Sequence, residues 1–397
     1  MVSTGAQSKR RRQIVIAGGG FAALESLLAL RALLGAQVDI TLVARSRWLP
    51  DRPAASAEAL GSEPSRVYDL LAIAEEQDAR FREDRLEAVA SEQHRVRLAS
   101  FAVLSYDTLV LALGARSRVA IPGALTFRDQ RDLPQMRRMI DDLRDGVPRR
   151  LVFALPDGCS SPLLLYELAV SAARENALRA VGVSVTIVTA EHAPLEMFGP
   201  DASRAAGRML SDAGVQLVTG AAPIAVRRDG SLLVRTGAAI PADRVVAAPA
   251  LRGRRLAGVP HGAHGFVPVE RDGRVVGLED VYAAGEMTTF PIRHPGIAAQ
   301  QADVIANAIA ASPSIALRLG REASSRRPAR RLRQPARLLA RSRALHLQAA
   351  LDPIGRPLAS GGERSSTQAY AGAEGRYLAD CLAARMPLRR GRLAPLT

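Results

Sequence analysis

The chain has 397 residues, 48% of them hydrophobic and 4% aromatic, with a formal net charge of +15. That length carries two or three domains with real cores, and no stretch approaches the roughly 20 apolar residues of a membrane span. Lys9 is the only lysine, and the arginines run through the whole length, clustering at Lys9–Arg12, Arg326–Arg333 and Arg389–Arg392 without interleaved aromatics. This pattern speaks for solvated charge or attraction to anionic surfaces rather than specific nucleic-acid binding.

The basic start, residues 1–12, reads as a tail. The apolar run behind it is interrupted by glycines, so it is not read as a signal peptide. Ile14–Ala17 forms a strand pattern that meets Gly18, Gly19 and Gly20. A helical pattern follows, and then a second strand pattern, Val38–Val43. Strand, tight turn, helix and strand, with Gly18, Gly20 and Ala23 at the spacing of a dinucleotide-binding turn, point to a nucleotide. One small residue permits the turn, one lets the backbone approach a pyrophosphate, and one lets helix and strand pack closely. The N–H groups at the helix start then face the phosphates. Glu25 in this helix reads as a local structural group or as reaching a ribose. The second strand ends in Leu42-Val43-Ala44-Arg45, without the Asp or Glu that usually bonds the adenosine ribose there. Arg45 would suit a 2′-phosphate, which leaves NADP at this first site as an alternative.

Further along, Val96–Leu98, Phe101–Val103 and Thr108–Leu113 read as strands, the last ending in Gly114-Ala115. A loop rich in Arg, Gly and Pro leads to a second α/β unit. Its strand is Leu151–Leu155, its turn Pro156–Pro162, its helix 163–174 and its next strand Val183–Val188. No second GxGxxG stands after Leu155. Gly158 alone gives one close backbone approach, and Asp157 would repel a pyrophosphate. Ser160 or Ser161 before Pro162 reads as a helix cap. That helix start could still hold an anion, with Glu191 taking a ribose, so NAD(P)H binding here stays open. Val215–Val218, Leu232–Arg235 and Arg244–Ala248 are further strand candidates. Val281-Tyr282-Ala283-Ala284-Gly285-Glu286 and a helix over 296–311 come next. Residues 312–334 read as a linker, and Arg337–Leu351 as two short strands or a basic amphipathic helix. Cys159 and Cys381 are the only cysteines. They cannot make a disulfide framework, which suits a reducing cytoplasm, and their separation argues against a redox pair. The six histidines form no metal-ligand spacing, so no metal site is expected.

The turn at Gly18–Gly20, the segment Tyr106–Ala115 and the segment Leu278–Asp303 together resemble the flavoproteins with two dinucleotide-binding domains. Within the pyridine nucleotide–disulfide reductase superfamily the chain is most similar to the type II NADH dehydrogenase and sulfide:quinone reductase branch. Residues 106–115 match that family's Tyr-Asp-x-Leu-Val-x-Ala-Thr-Gly-Ala, with Leu113 in place of Thr. Residues 281–286 match its Val-Tyr-Ala-Ala-Gly-Asp, with Glu286 in place of Asp, and Arg52-Pro53 resembles its Arg-Pro segment near FAD.

The resemblance implies an α/β fold with two Rossmann-like domains, the second inserted in the first. An FAD domain would comprise 13–145 and 245–311, a second nucleotide-binding-like domain 146–244, and a C-terminal segment 335–397. It implies that Gly18, Gly20 and Ala23 carry the pyrophosphate and that Arg52, Ala112, Gly114, Ala115, Gly285 and Ala298 border FAD. Glu286 would bond the ribityl chain or a phosphate-linked oxygen. The helix after Pro295-Gly296 would aim its first N–H groups at the N1–C2=O edge of the flavin, where reduction places negative charge. Gln300, Gln301 and His294 are the candidates nearest the chemistry, each with a plain structural alternative. The implied activity is FAD-dependent electron transfer from NAD(P)H or a small reductant to a quinone-like acceptor, without a cysteine pair. The alternative is a flavin-binding regulatory protein with little turnover. Cys159 reads as a turn cysteine, with a persulfide-carrying thiol as the alternative. Gly375-Arg376-Tyr377-Leu378 resembles a stretch that attaches relatives to membranes, implying at most weak peripheral attachment to the inner face.

Overall fold

The computed structural model describes residues 10–50, 67–145, 149–175, 180 and 182–312. Arg52, most of the basic tail, nearly all of the linker, Cys381 and the C-terminal segment lie outside the described residues.

The chain opens with strand β1 (Arg12–Ala17), helix α1 (Phe21–Leu34) and strand β2 (Val38–Ala44). A short antiparallel pair, β3 (Trp48–Pro50) and β4 (Val67–Asp69), leads to helix α2 (Leu70–Glu76) and strand β5 (Arg80–Glu83). The meander β6 (Leu86–Ala90), β7 (Arg95–Leu98) and β8 (Val103–Ser105) precedes β9 (Thr108–Leu111). Next come β10 (Ala115–Arg118), β11 (Leu125–Thr126), helix α3 (Leu133–Arg144) and β12 (Arg150–Leu155). Helix α4 (Leu163–Arg174), β13 (Ser184–Thr189), helix α5 (Pro200–Asp212) and β14 (Gln216–Val218) continue the second unit. The strands β15 (Pro223–Val226), β16 (Leu232–Val234) and β17 (Ala239–Ile240) form a second meander. Finally come β18 (Arg244–Ala247), β19 (Ala250–Gly253), β20 (Val281–Ala283) and helix α6 (Pro295–Ala310).

Two five-stranded parallel sheets result, ordered β20-β9-β1-β2-β5 and β11-β18-β12-β13-β14. The second lies within the chain path of the first, because β20 returns to pair with β9 after the second sheet is complete. The expected fold class is therefore met. Strand alternation explains the layers. Ile14 and Ile16 point to one face of β1, where they join Leu24, Leu27, Ile305 and Ile309 of α1 and α6. Val15 and Ala17 point to the other, where Val89, Val96 and Leu98 of the first meander cover them. The second sheet repeats the plan. Leu151, Phe153 and Leu155 face the helices, while Val152 and Ala154 meet Leu232 and Val234 of the second meander. The antiparallel ribbon β10–β19 joins the two units.

Several local expectations are corrected. Phe101 is not in a strand: it sits in a turn at φ 65°, 79% exposed, and the strand starts at Val103. Neither Ser160 nor Ser161 caps α4, because Pro162 already has helical angles and occupies the cap position itself. The second sheet also begins earlier in the chain than residue 146. β11 pairs with β18, and Leu133, Met136 and Ile140 of α3 are buried with Phe153.

Candidate functional site

Ligands of open parallel sheets gather at the carboxyl ends of the strands. At that edge of the first sheet, the Gly18 N–H donates to the Val43 carbonyl (2.8 Å) and the Ala112 N–H to the Ala17 carbonyl (2.7 Å). Gly18 has φ 143°, and a methyl group on it would lie 2.2 Å from the Ala112 carbonyl oxygen, so no side chain fits. This contact binds the glycine turn to the 112–115 segment. Gly20 is the opposite case. A methyl group there would meet nothing within 4 Å, and no side chain caps the start of α1. Ala23 is fully buried beneath the turn, its N–H donating to the Gly20 carbonyl (3.0 Å).

The second and third segments meet beside this turn. The Ala284 N–H donates to the Leu111 carbonyl (2.9 Å), carrying β20 past Gly114. A methyl group on Gly114, at φ 67°, would stand 3.6 Å from Glu286 Oε2, so the half-buried Glu286 carboxylate lies over that glycine. Gly285, at φ 77°, faces Ala22 and Ala298, and the start of α1 thereby approaches α6. Leu113, the departure from the family pattern, donates its N–H to Met287 Sδ (3.2 Å) and packs on the core.

Gln300 and Gln301 lie in the second turn of α6. Gln301 Oε1 accepts from the Gly285 N–H (2.6 Å), fixing the 285–286 backbone. Gln300 is buried, and its Oε1 has no hydrogen-bond partner. His294 is the N-cap of α6. Its Nδ1 accepts from the Gly296 N–H (3.2 Å), and its carbonyl accepts from the Ile297 and Ala298 N–H groups (3.0 Å each). The first amides of α6 are therefore engaged within the chain, so the helix acts through its dipole rather than through free N–H donors.

Arg293, just before the cap, was not singled out from sequence. Its guanidinium lies 3.8 Å from the centroid of the Phe266 ring and donates to the Glu286 and Thr288 carbonyls (3.3 Å each). Burial pushes it below the usual arginine range, and the Glu286 charge partly offsets this. Its N–H donates to the Ser160 carbonyl (2.8 Å), tying this loop to the second unit.

In the second unit the Asp157 carboxylate pairs with Arg235 (2.8 Å), which screens the charge facing any phosphate. A methyl group on Gly158 would meet nothing within 4 Å. Glu191, beyond β13, is held by Thr189 Oγ1 (3.4 Å) and the Met197 N–H (3.4 Å), and burial raises its pKa. The Cys159 thiol is free and pushed up to about 11, first by burial and then by Glu191, against a hydrogen bond from Ser161. At neutral pH it is a protonated, unreactive thiol. Ala44 is buried, and its methyl would stand 2.9 Å from a methyl on Gly19. Among the described residues no group of three or more His, Cys, Asp or Glu is placed to hold a metal ion, and no helix is long and apolar enough to cross a membrane.

Residues 12–154 and 166–312 match the profile of the family described as pyridine nucleotide-disulphide oxidoreductase. A stretch of 109 residues is 38% identical to the anthranilate 1,2-dioxygenase system ferredoxin–NAD(+) reductase component of Burkholderia cepacia. That match covers 26% of this chain and 27% of the relative, so the chain spans about a quarter of the curated relative it matches. The sulfide:quinone oxidoreductase of Aquifex aeolicus superimposes with a TM-score of 0.69 at 19% identity, covering 78% of each chain. A ferredoxin reductase of Rhodopseudomonas palustris gives 0.58 at 22% identity, covering 75% of this chain and 76% of that one. At such identities these are likenesses of fold.

Proposed function

The chain belongs to the pyridine nucleotide-disulphide oxidoreductase family, a family of flavin-dependent enzymes, and on that premise we propose that it is an FAD-dependent oxidoreductase. In this reading it takes electrons from NAD(P)H or a small reductant and passes them to a quinone-like acceptor. The observation that carries the proposal is the meeting of three distant segments, at Gly18–Gly20, Ala112–Ala115 and Gly285–Glu286, at one sheet edge.

The residues present fit a dinucleotide. The cradle at Gly18 admits no side chain, the space outside Gly20 is open, and Gln300 Oε1 is a buried acceptor awaiting a donor. FAD, when bound, supplies the two-electron redox chemistry that no side chain offers. Gly18, Gly20 and the start of α1 hold the pyrophosphate, with Ala23 giving close packing beneath. Glu286 accepts from the ribityl hydroxyls, and Ala112, Gly114, Gly285 and Ala298 form the walls. Gln301 positions the Gly285 backbone. The α6 dipole and the Arg293 guanidinium favour negative charge at the adjoining edge. The second unit offers NAD(P)H the start of α4, with Asp157 screened by Arg235. Cys159, the one cysteine among the described residues, is free and half-buried, and its protonated thiol offers no dithiol relay there.

The test is spectroscopic. Purified protein incubated with FAD should show flavin absorption, bleach anaerobically with NADH or NADPH, and recover its colour on addition of a soluble quinone. A colourless protein that takes up no FAD would falsify the proposal. Bound flavin that no reductant bleaches would instead support binding without turnover. The 38% identical ferredoxin–NAD(+) reductase stretch favours a second reading, with an iron–sulphur protein as acceptor. Reoxidation by a ferredoxin and not by quinone would select it.

A further inference from the structure

The adenosine end of the first site lacks its usual acid. In dinucleotide folds the ribose hydroxyls lie beyond the second strand and donate to an Asp or Glu at its end. Here β2 ends at Ala44, whose methyl is buried against the glycine turn, and Arg45-Ser46-Arg47 follow.

The neighbouring strand carries a carboxylate at the same level. β2 and β5 are parallel, and their last residues, Ala44 and Glu83, are partners in register. The Asp84 N–H donates to the Ala44 carbonyl (2.8 Å), which ties the two strand ends together. Adjacent strands lie about 4.8 Å apart, within reach of a glutamate side chain. Glu83 makes that reach: its Oε1 accepts from the Arg47 N–H at 3.2 Å, three residues past the end of β2. The carboxylate therefore lies across the end of the strand that lacks one.

It is also available. Glu83 is exposed, its Oε2 takes no hydrogen bond, and no cation stands within 4 Å of it among the described residues. Two nearby arginines pair with other acids. Arg47 holds Asp69 through two bonds (2.8 and 2.5 Å), and Arg82 Nε faces Asp84 (3.8 Å).

We propose that Glu83 on β5 accepts the adenosine ribose hydroxyls of bound FAD, in place of the acid absent from the end of β2. This inference rests on the reading of the first site as an FAD site. A carboxylate at this position accepts from an unphosphorylated ribose and repels a 2′-phosphate, whatever Arg45 would favour.

The experiment is a binding titration of the full chain, followed by quenching of flavin fluorescence and of Trp48, the single tryptophan, which is 44% exposed just past Arg47. Glu83→Gln should weaken FAD by about tenfold, as expected for a lost hydrogen bond to a charged acceptor. Glu83→Asp, which withdraws the charge by one methylene, should fall between. FMN has no adenosine, so its affinity should not change. Glu92→Gln, an exposed turn position, serves as control. Equal melting curves of the apo variants establish that all are folded. FAD affinity indifferent to Glu83, or FMN weakened as much as FAD, overturns the inference alone. A wild-type chain that binds no FAD overturns the proposed function and this inference together.

Discussion

After β1 the chain turns through three glycines into α1, and after β12 it turns through Pro156–Pro162 into α4. Both turns leave the central strand of a parallel sheet, yet they are built differently. The first is held by backbone and close apolar contacts, with no polar side chain. Gly18 touches the Ala112 carbonyl, Gly19 the methyl of Ala44, and the outer side of Gly20 stays open. The second is held by side chains: Asp157 pairs with Arg235, and Cys159 packs on the core beside Glu191. Its Gly158 has room for a methyl group. A backbone cradle tolerates almost no substitution and suits a resident cofactor. A turn with spare volume and a surface ion pair suits a molecule that comes and goes.

The sharpest way to break this contrast is a paired substitution. Gly18→Ala should abolish FAD uptake and lower the melting temperature by many degrees, because the methyl has no room against the Ala112 carbonyl. Gly158→Ala meets only the cost of its positive φ, about 1 kcal/mol, and should leave FAD content unchanged. Equal losses from the two would end the comparison.

A smaller effect separates the roles of the α6 start. His294→Ala removes a cap and should cost about 1 kcal/mol, while His294→Asn should restore most of it. If His294 donated protons instead, both variants would alter the pH profile of turnover equally.

The far end of the second sheet offers a control that touches neither turn. There Asp243 accepts from the Arg149 and Arg150 N–H groups and from the Arg150 guanidinium, and this lowers its carboxyl to about 2. A lowered carboxyl stabilises the fold above its unfolded value near 4, and the contribution is lost as pH falls towards 2. Asp243→Asn should cost about 1 kcal/mol at neutral pH, after screening at this partly exposed site, and nothing near pH 2. Thermal melts at the two pH values check the sign.

Smallest of all, Cys159→Ser should leave flavin reduction unchanged, and a thiol reagent should modify the wild-type side chain only slowly at neutral pH.

Much of this contrast was legible in the sequence. Continuous apolar runs such as Ile14–Ala17 and Leu151–Leu155 announce strands buried on both faces, and the glycine spacing marks the first turn. The helices over 163–174 and 295–310 follow from their apolar spacing. What stayed hidden depends on neighbours remote in sequence. α3 and α5 are amphipathic and rich in charge, so their apolar stripes become visible only against Phe153 and Leu195. Gly158 looks like a weak phosphate turn until Arg235 is placed beside Asp157. Glu83 sits among ordinary charged residues, and only the strand register brings it level with Ala44. His294 reads as a loop residue until the first amide of α6 is seen to point at its ring.

The late return of β20 and α6 has a consequence for how the protein is made. The apolar stripe of α1, including Leu24, Leu27 and Leu28, is covered by Ile305, Ala306 and Ile309 from near the end of the described chain. A polypeptide leaving the ribosome amino end first carries that stripe bare while the whole second unit emerges and closes. The unit inserted in the middle is thus finished before the one that begins the chain. Any stall in translation before Val281 leaves a nascent chain with a sticky helix and an open sheet edge, the kind of surface that chaperones hold.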